Sequence, residues 1–136
     1  MSDAWERTRR RRLLVHAVLR SLGDRRDPVL THNQRVEIDA EYGDLDGFLG
    51  EVQAYWYRAF DARLDQLLAG DDNELGAGIS SLWRELSLEQ PAARRLLDAY
   101  ADRPILLAGE EHHRLRLLAA TGVDHRPTHN QRPAMA

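Results

Sequence analysis

Apolar residues return every three to four positions along almost the whole chain, the period of a helix with one buried face. Leu14, Val15, Val18, Leu19 and Leu22 form the first stripe, and Gly23 stands where a left-handed cap would end a helix. This predicts a helix over about 4–22, opened by Asp3 with Glu6 three positions on. A loop containing Pro28 follows. Thr31 and Gln34 then have the spacing of a capping box, which predicts a short helix from His32 to just before Gly43.

Asp44 is placed to cap the next helix, with Asp46 favourable in its first turn. Leu45, Phe48, Leu49, Val52, Trp56, Ala59, Phe60, Leu64 and Leu67 form one unbroken stripe, and Gly70 ends it. Asp71 with Glu74 predicts a fourth helix carrying Leu75, Ile79, Leu82, Trp83 and Leu86, weakened by Gly76 and Gly78. Ser87 with Gln90, and Pro91 in a first turn, predict a fifth that turns Ala93, Leu96, Leu97 and Tyr100 inward. Pro104 opens a sixth, expected to bury Leu107, Leu115 and Leu118 before Gly122. Residues 123–136 have no apolar period and contain Pro127 and Pro133.

No strand pattern or solenoid-length repeat competes. The expected fold is therefore all-α. It is one bundle of five or six helices within residues 1–122, built on a long central helix over about 45–69, with a flexible C-terminal tail over 123–136.

Charge adds a second layer. All 19 basic residues are Arg, a usage that suggests a GC-rich bacterial genome. Residues 1–35 carry nine Arg against four acids, residues 36–111 six against 17, and residues 112–136 four against one. The simplest expectation is that basic ends fold onto an acidic middle. The alternative is that one basic face stays open to an anionic partner. Arg7 and Arg9–Arg12 sit early in the first helix, where each exposed cation opposes the helix dipole by about 0.3–1 kcal/mol. Projection puts Arg9, Arg12, His16 and Arg20 away from the leucines and Arg11 on the apolar side, its stem packed there. Arg9, Arg10, Arg12, His16 and Arg20 are accordingly the candidate partner- or polyanion-binding residues.

Arg63 lies within the apolar stripe of the long helix, where an unpartnered buried guanidinium would be costly. With Tyr55 and Tyr57 it marks the place to look for a polar pocket. Trp56 and Phe60, four apart, read as core.

Several chemistries fail on spacing. With no Cys in the chain, disulfides, thiolate metal sites and Cys nucleophiles are excluded. Glu110 and His113 have the Glu-x-x-His spacing of bundle di-iron sites but no second copy, so His113 is expected at the surface and no metal is assigned. The calcium-loop reading of Asp44–Gly47 fails at Tyr42 and Gln53. No phosphate loop or nucleophile elbow is present, and no cofactor is implied. No apolar run is long enough for a membrane span. The arginine-rich start lacks a cleavage site, and its apolar run is broken by His16 and Arg20, so the expected location is cytoplasmic.

One word is written twice: Thr-His-Asn-Gln-Arg, at 31–35 and at 128–132. The first copy has a structural reason in helix initiation. In the second, Arg132 precedes Pro133 and is steered away from helical geometry. The second copy reads as a local duplication, or as a segment able to take the place of the first in its own chain or a neighbour's.

Three functions are carried forward. First is a non-enzymatic protein-interaction module that binds a protein partner or itself. Second is a nucleic-acid-associated regulator using the first helix. Third is a small-ligand or metal-binding protein with a pocket near Arg63.

Overall fold

A computed structural model describes residues 2–70 and 74–126. Six helices follow in order: α1 (Ser2–Leu22), α2 (His32–Tyr42), α3 (Leu45–Ala69), α4 (Leu75–Glu89), α5 (Pro91–Ala99) and α6 (Pro104–Thr121). No strand occurs among the described residues, and none of their helices is long and apolar enough to cross a membrane. The second copy of the repeated word and Asp71, the expected cap of α4, lie outside the described residues.

The central helix is the one the apolar stripe predicts. Leu45, Phe48, Leu49, Val52, Trp56, Phe60 and Leu64 are buried along α3, and α3 packs against all five other helices. Asp44 accepts from the Gly47 amide at 2.8 Å and starts it. The Thr31–Gln34 box is closed in both directions, at 3.1 and 2.8 Å, and starts α2. Left-handed turns at Gly23 (φ 52°) and Gly43 (φ 84°) let the chain reverse after α1 and α2, a conformation that a Cβ disfavours.

Three local expectations are corrected. Ser87 does not cap α5. It lies inside α4, where its hydroxyl donates to the Trp83 carbonyl at 2.8 Å, and Gln90 joins the two helices without a side-chain cap. Asp3 does not precede α1 but sits in its first turn. The buried face of α6 is Leu106, His113 and Leu117, while Leu107 and Leu115 are each half exposed and Leu118 is intermediate. Leucines surround α6 on several sides, so periodicity alone leaves its rotation open.

What sets that rotation is a close approach at the α3–α6 crossing. Gln53 is buried and donates from Nε2 to the Leu106 carbonyl at 2.9 Å. A Cβ on Gly109 would stand 1.9 Å from Gln53 Oε1. Glycine therefore lets α6 lie against the Gln53 amide, and the turn from Leu106 to His113 faces α3. Gly109→Ala should cost about 1–3 kcal/mol by overpacking and lower the melting temperature by roughly 3–10 °C. Adding Gln53→Ala should recover part of that loss, because it empties the contested space. Thermal melts by circular dichroism measure both, and strictly additive losses would show that the contact is not the cause.

Candidate functional site

Helix α1 has two chemically different sides. On the inner side, Arg11 donates from Nε and Nη2 to the Glu41 carbonyl at 3.1 and 2.8 Å, with its guanidinium 4.9 Å over the Tyr42 ring. The Tyr42 hydroxyl donates back to the Arg11 carbonyl at 3.3 Å. Arg10 donates to the Glu41 carboxylate at 2.8 Å. Arg10 thus belongs with Arg11 to the seam with α2 rather than to the outward face.

Arg9, Arg12, His16 and Arg20 lie on the outer side, and all four are exposed. Among the described residues no carboxylate forms an ion pair with Arg9, Arg12 or Arg20. Two apolar residues share this face and were not singled out from sequence: Trp5, 63% exposed, and Leu13, 56% exposed. The Arg9 guanidinium lies 5.6 Å from the Trp5 ring centroid. The signal was present, since positions 5, 9, 13, 16 and 20 step along one face of a helix.

The three residues expected around one polar pocket are separated. Arg63 donates to Glu89 across α3 and α4, at the edge of an open cleft of about 800 Å³ that also exposes Gln66, Ser81 and Glu85. Tyr55 lies elsewhere, its ring 5.9 Å from that of His16 and 5.1 Å from the Arg58 guanidinium. Tyr57 stacks on His113, with centroids 3.9 Å apart and ring planes 18° apart. Side chains at 55, 57 and 63 leave a helix in widely different directions, so one stripe could not hold all three.

Polar groups do meet inside the fold, around Trp56 and Trp83. Arg94 is buried, its guanidinium 4.7 Å from the ring centroids of both Trp56 and Trp83. Its Nε donates to Asp98 Oδ1 at 2.9 Å, and Nη2 forms an ion pair with the same oxygen at 2.8 Å. Beside it, His113 is not at the surface as expected. It is 8% exposed, stacks on Tyr57, meets Phe60 edge-on and bonds Asp61 through Nε2 at 2.8 Å. Burial raises the Tyr57 hydroxyl above its ordinary pKa, with Glu110 adding to the shift.

The chain beyond α6 covers this cluster. Val123 packs on the core, and the His125 ring lies 5.5 Å from Trp83, its Nε2 enclosed with no hydrogen-bond partner among the described residues. The tail expected from residue 123 onward is thus packed at its start. Among the described residues no group of three or more His, Asp or Glu is arranged to hold a metal ion. The hydroxyls of Thr8, Ser87 and Thr121 each donate to a carbonyl four residues back in their own helix.

A second concavity adjoins the outer face of α1. This groove of about 780 Å³ lies between α1, α3 and the start of α5. Val15, Leu19, Ala59, Ala92 and Ala93 supply its apolar lining, and His16, Arg20, Tyr55 and Arg58 add polar or cationic groups.

Removing Arg94 should be far costlier than an exposed Arg substitution. Arg94→Ala strips Asp98 of its buried cation and should destabilise by about 3–5 kcal/mol. Arg12→Ala, on the exposed face, should change stability by less than about 0.5 kcal/mol. Urea unfolding followed by tryptophan emission compares the two, and equal losses would refute a central role for Arg94.

The enclosed imidazole gives a pH dependence with a defined sign. Burial, with His113 nearby, holds His125 below its ordinary value. As pH falls, the unfolded chain therefore takes up this proton before the folded chain does. The stability carried by His125 is complete above about pH 6.5 and is lost progressively below it. Arg63 and Arg114 hold Glu89, Glu111 and Asp124 below their ordinary carboxylate range, so these titrate at lower pH. Between pH 7.5 and 5.5 the melting temperature should fall more steeply in the wild type than in His125→Gln. Parallel curves would remove His125 as the cause.

The chain matches no protein-family model, no curated protein and no solved structure.

Proposed function

We propose that this chain is a non-enzymatic helical module that binds another protein, with self-association as one form of that activity. The observation that carries the reading is the outer face of α1. Trp5 and Leu13 stand in solvent among Arg9, Arg12, His16 and Arg20. Aromatic and arginine side chains of this kind are the residues that anchor protein interfaces. The neighbouring arginines, Arg10 and Arg11, already tie α1 to α2, so the outer cations are not needed for that seam.

The same face would serve a nucleic-acid-associated regulator, and its arginines, which form no ion pair among the described residues, favour keeping that reading second. Three phosphate contacts from Arg9, Arg12 and Arg20 would give a salt slope of only about −3. A ligand or metal pocket at Arg63 has no such support, because Glu89 already engages that guanidinium.

A photocrosslinking residue at position 13 tests the reading, with the half-exposed Leu115 as the control position. Position 13 should give discrete protein adducts, or a covalent dimer, that position 115 does not. Nuclease-sensitive adducts would replace the reading with its nucleic-acid alternative. Equal labelling at both positions would end both.

A further inference from the structure

We infer that the groove between α1, α3 and α5 receives an acidic amphipathic helix from a different protein, apolar side down, with its carboxylates on Arg20 and Arg58. This rests on the reading of the chain as an interaction module and names the chemistry of the partner.

The lining sets the shape of the occupant. Ala59 and Ala92 are small and partly exposed, so a backbone can approach closely, while Leu19 offers apolar contact and the buried Val15 and Ala93 form the floor beneath. About 780 Å³ accommodates a few side chains from one helix face, the arrangement of helix-in-groove recognition.

Charge sets the sign of the occupant. Arg20 and Arg58 are exposed, and no carboxylate among the described residues forms an ion pair with either. The Arg58 guanidinium is held 5.1 Å over the Tyr55 ring, which keeps it at the groove. His16, against the same ring, adds a third polar group at the groove. Of the two lining acids, Glu89 is bound by Arg63, leaving Asp24 against these cations. Helix α5 also opens into the groove with no side-chain cap from Gln90, which adds to the positive potential there. A basic partner would meet repulsion, and a neutral one would leave the arginines unused.

The test uses the full chain, labelled with ¹⁵N, and two synthetic peptides of about 18 residues, long enough to form a helix. Both carry the same leucine stripe; one has Glu on its polar face and the other Lys. The Glu peptide should shift the amides of His16, Leu19, Tyr55, Arg58 and Ala92 in a saturable way. It should bind roughly three- to tenfold more tightly than the Lys peptide, the worth of two exposed ion pairs. Arg20→Glu with Arg58→Glu should reverse that preference, with the wild-type spectrum otherwise kept.

Equal affinities for the two peptides, or no saturable shift from the Glu peptide, would overturn the inference. Shifts confined to the amides around Trp5 and Leu13 would overturn the groove assignment while leaving the module reading intact. Sedimentation of the unliganded chain covers the last case. A dimer that the double charge reversal dissociates would make a second copy the occupant and overturn the claim of a different protein. Failure of the crosslinking contrast at position 13 is a separate result and bears on the module reading alone.

Discussion

The guanidinium of Arg94 lies 4.7 Å from the ring centroids of both Trp56 and Trp83, which meet edge to face, and much of the interior is organised around it. Three helices meet there, because Trp56 comes from α3, Trp83 from α4 and Arg94 from α5. A buried cation is costly unless its environment replaces water. Here two indoles lie within cation–π reach of the guanidinium, an interaction worth about 2 kcal/mol or more when desolvated. Asp98, one turn further along α5, accepts from its Nε and forms an ion pair with its Nη2. Arginine suits this place better than lysine, since its broad guanidinium reaches both indoles while its Nε bonds the carboxylate.

The packing around that cation determines what happens next to it. Trp83 also meets Phe60 and Tyr57, and Tyr57 stacks on His113, which carries the contact to α6. His125 then covers the far side of Trp83. A layer of aromatic and imidazole rings thus joins the long helix to the end of the described chain. His113 Nε2 is bonded to Asp61, whereas Trp56 Nε1 and His125 Nε2 are enclosed without hydrogen-bond partners among the described residues.

The exterior follows a complementary logic. Glu41 engages Arg10 with its carboxylate and Arg11 with its carbonyl, fastening the arginine run to α2. Arg103 and Asp46 make a similar tie between the start of α6 and α3. The basic start of the chain therefore folds onto the acidic middle along one side of α1. Its other side presents exposed apolar groups and cations next to the groove, which is where the proposed interaction is placed.

Helix identity was legible from the sequence because it depends on local chemistry. Thr31 with Gln34, Asp44 with Gly47, and the glycines at 23 and 43 act within one turn of chain, and the α3 stripe repeats often enough to specify its own buried face. The rotation of α6 and the burial of His113 were not legible, because each depends on partners more than 20 residues away, whereas the separation of Arg63, Tyr55 and Tyr57 follows from their spacing on one helix. The Arg94–Asp98 spacing could be read as an ordinary exposed pair; only the arrival of Trp56 and Trp83 makes it an interior one. Sequence periodicity determined which segments coil and roughly where they stop, since backbone and capping energies are local. Tertiary structure decided which polar side chains are sequestered and which remain for a partner, since desolvation is set by neighbours that only packing brings together.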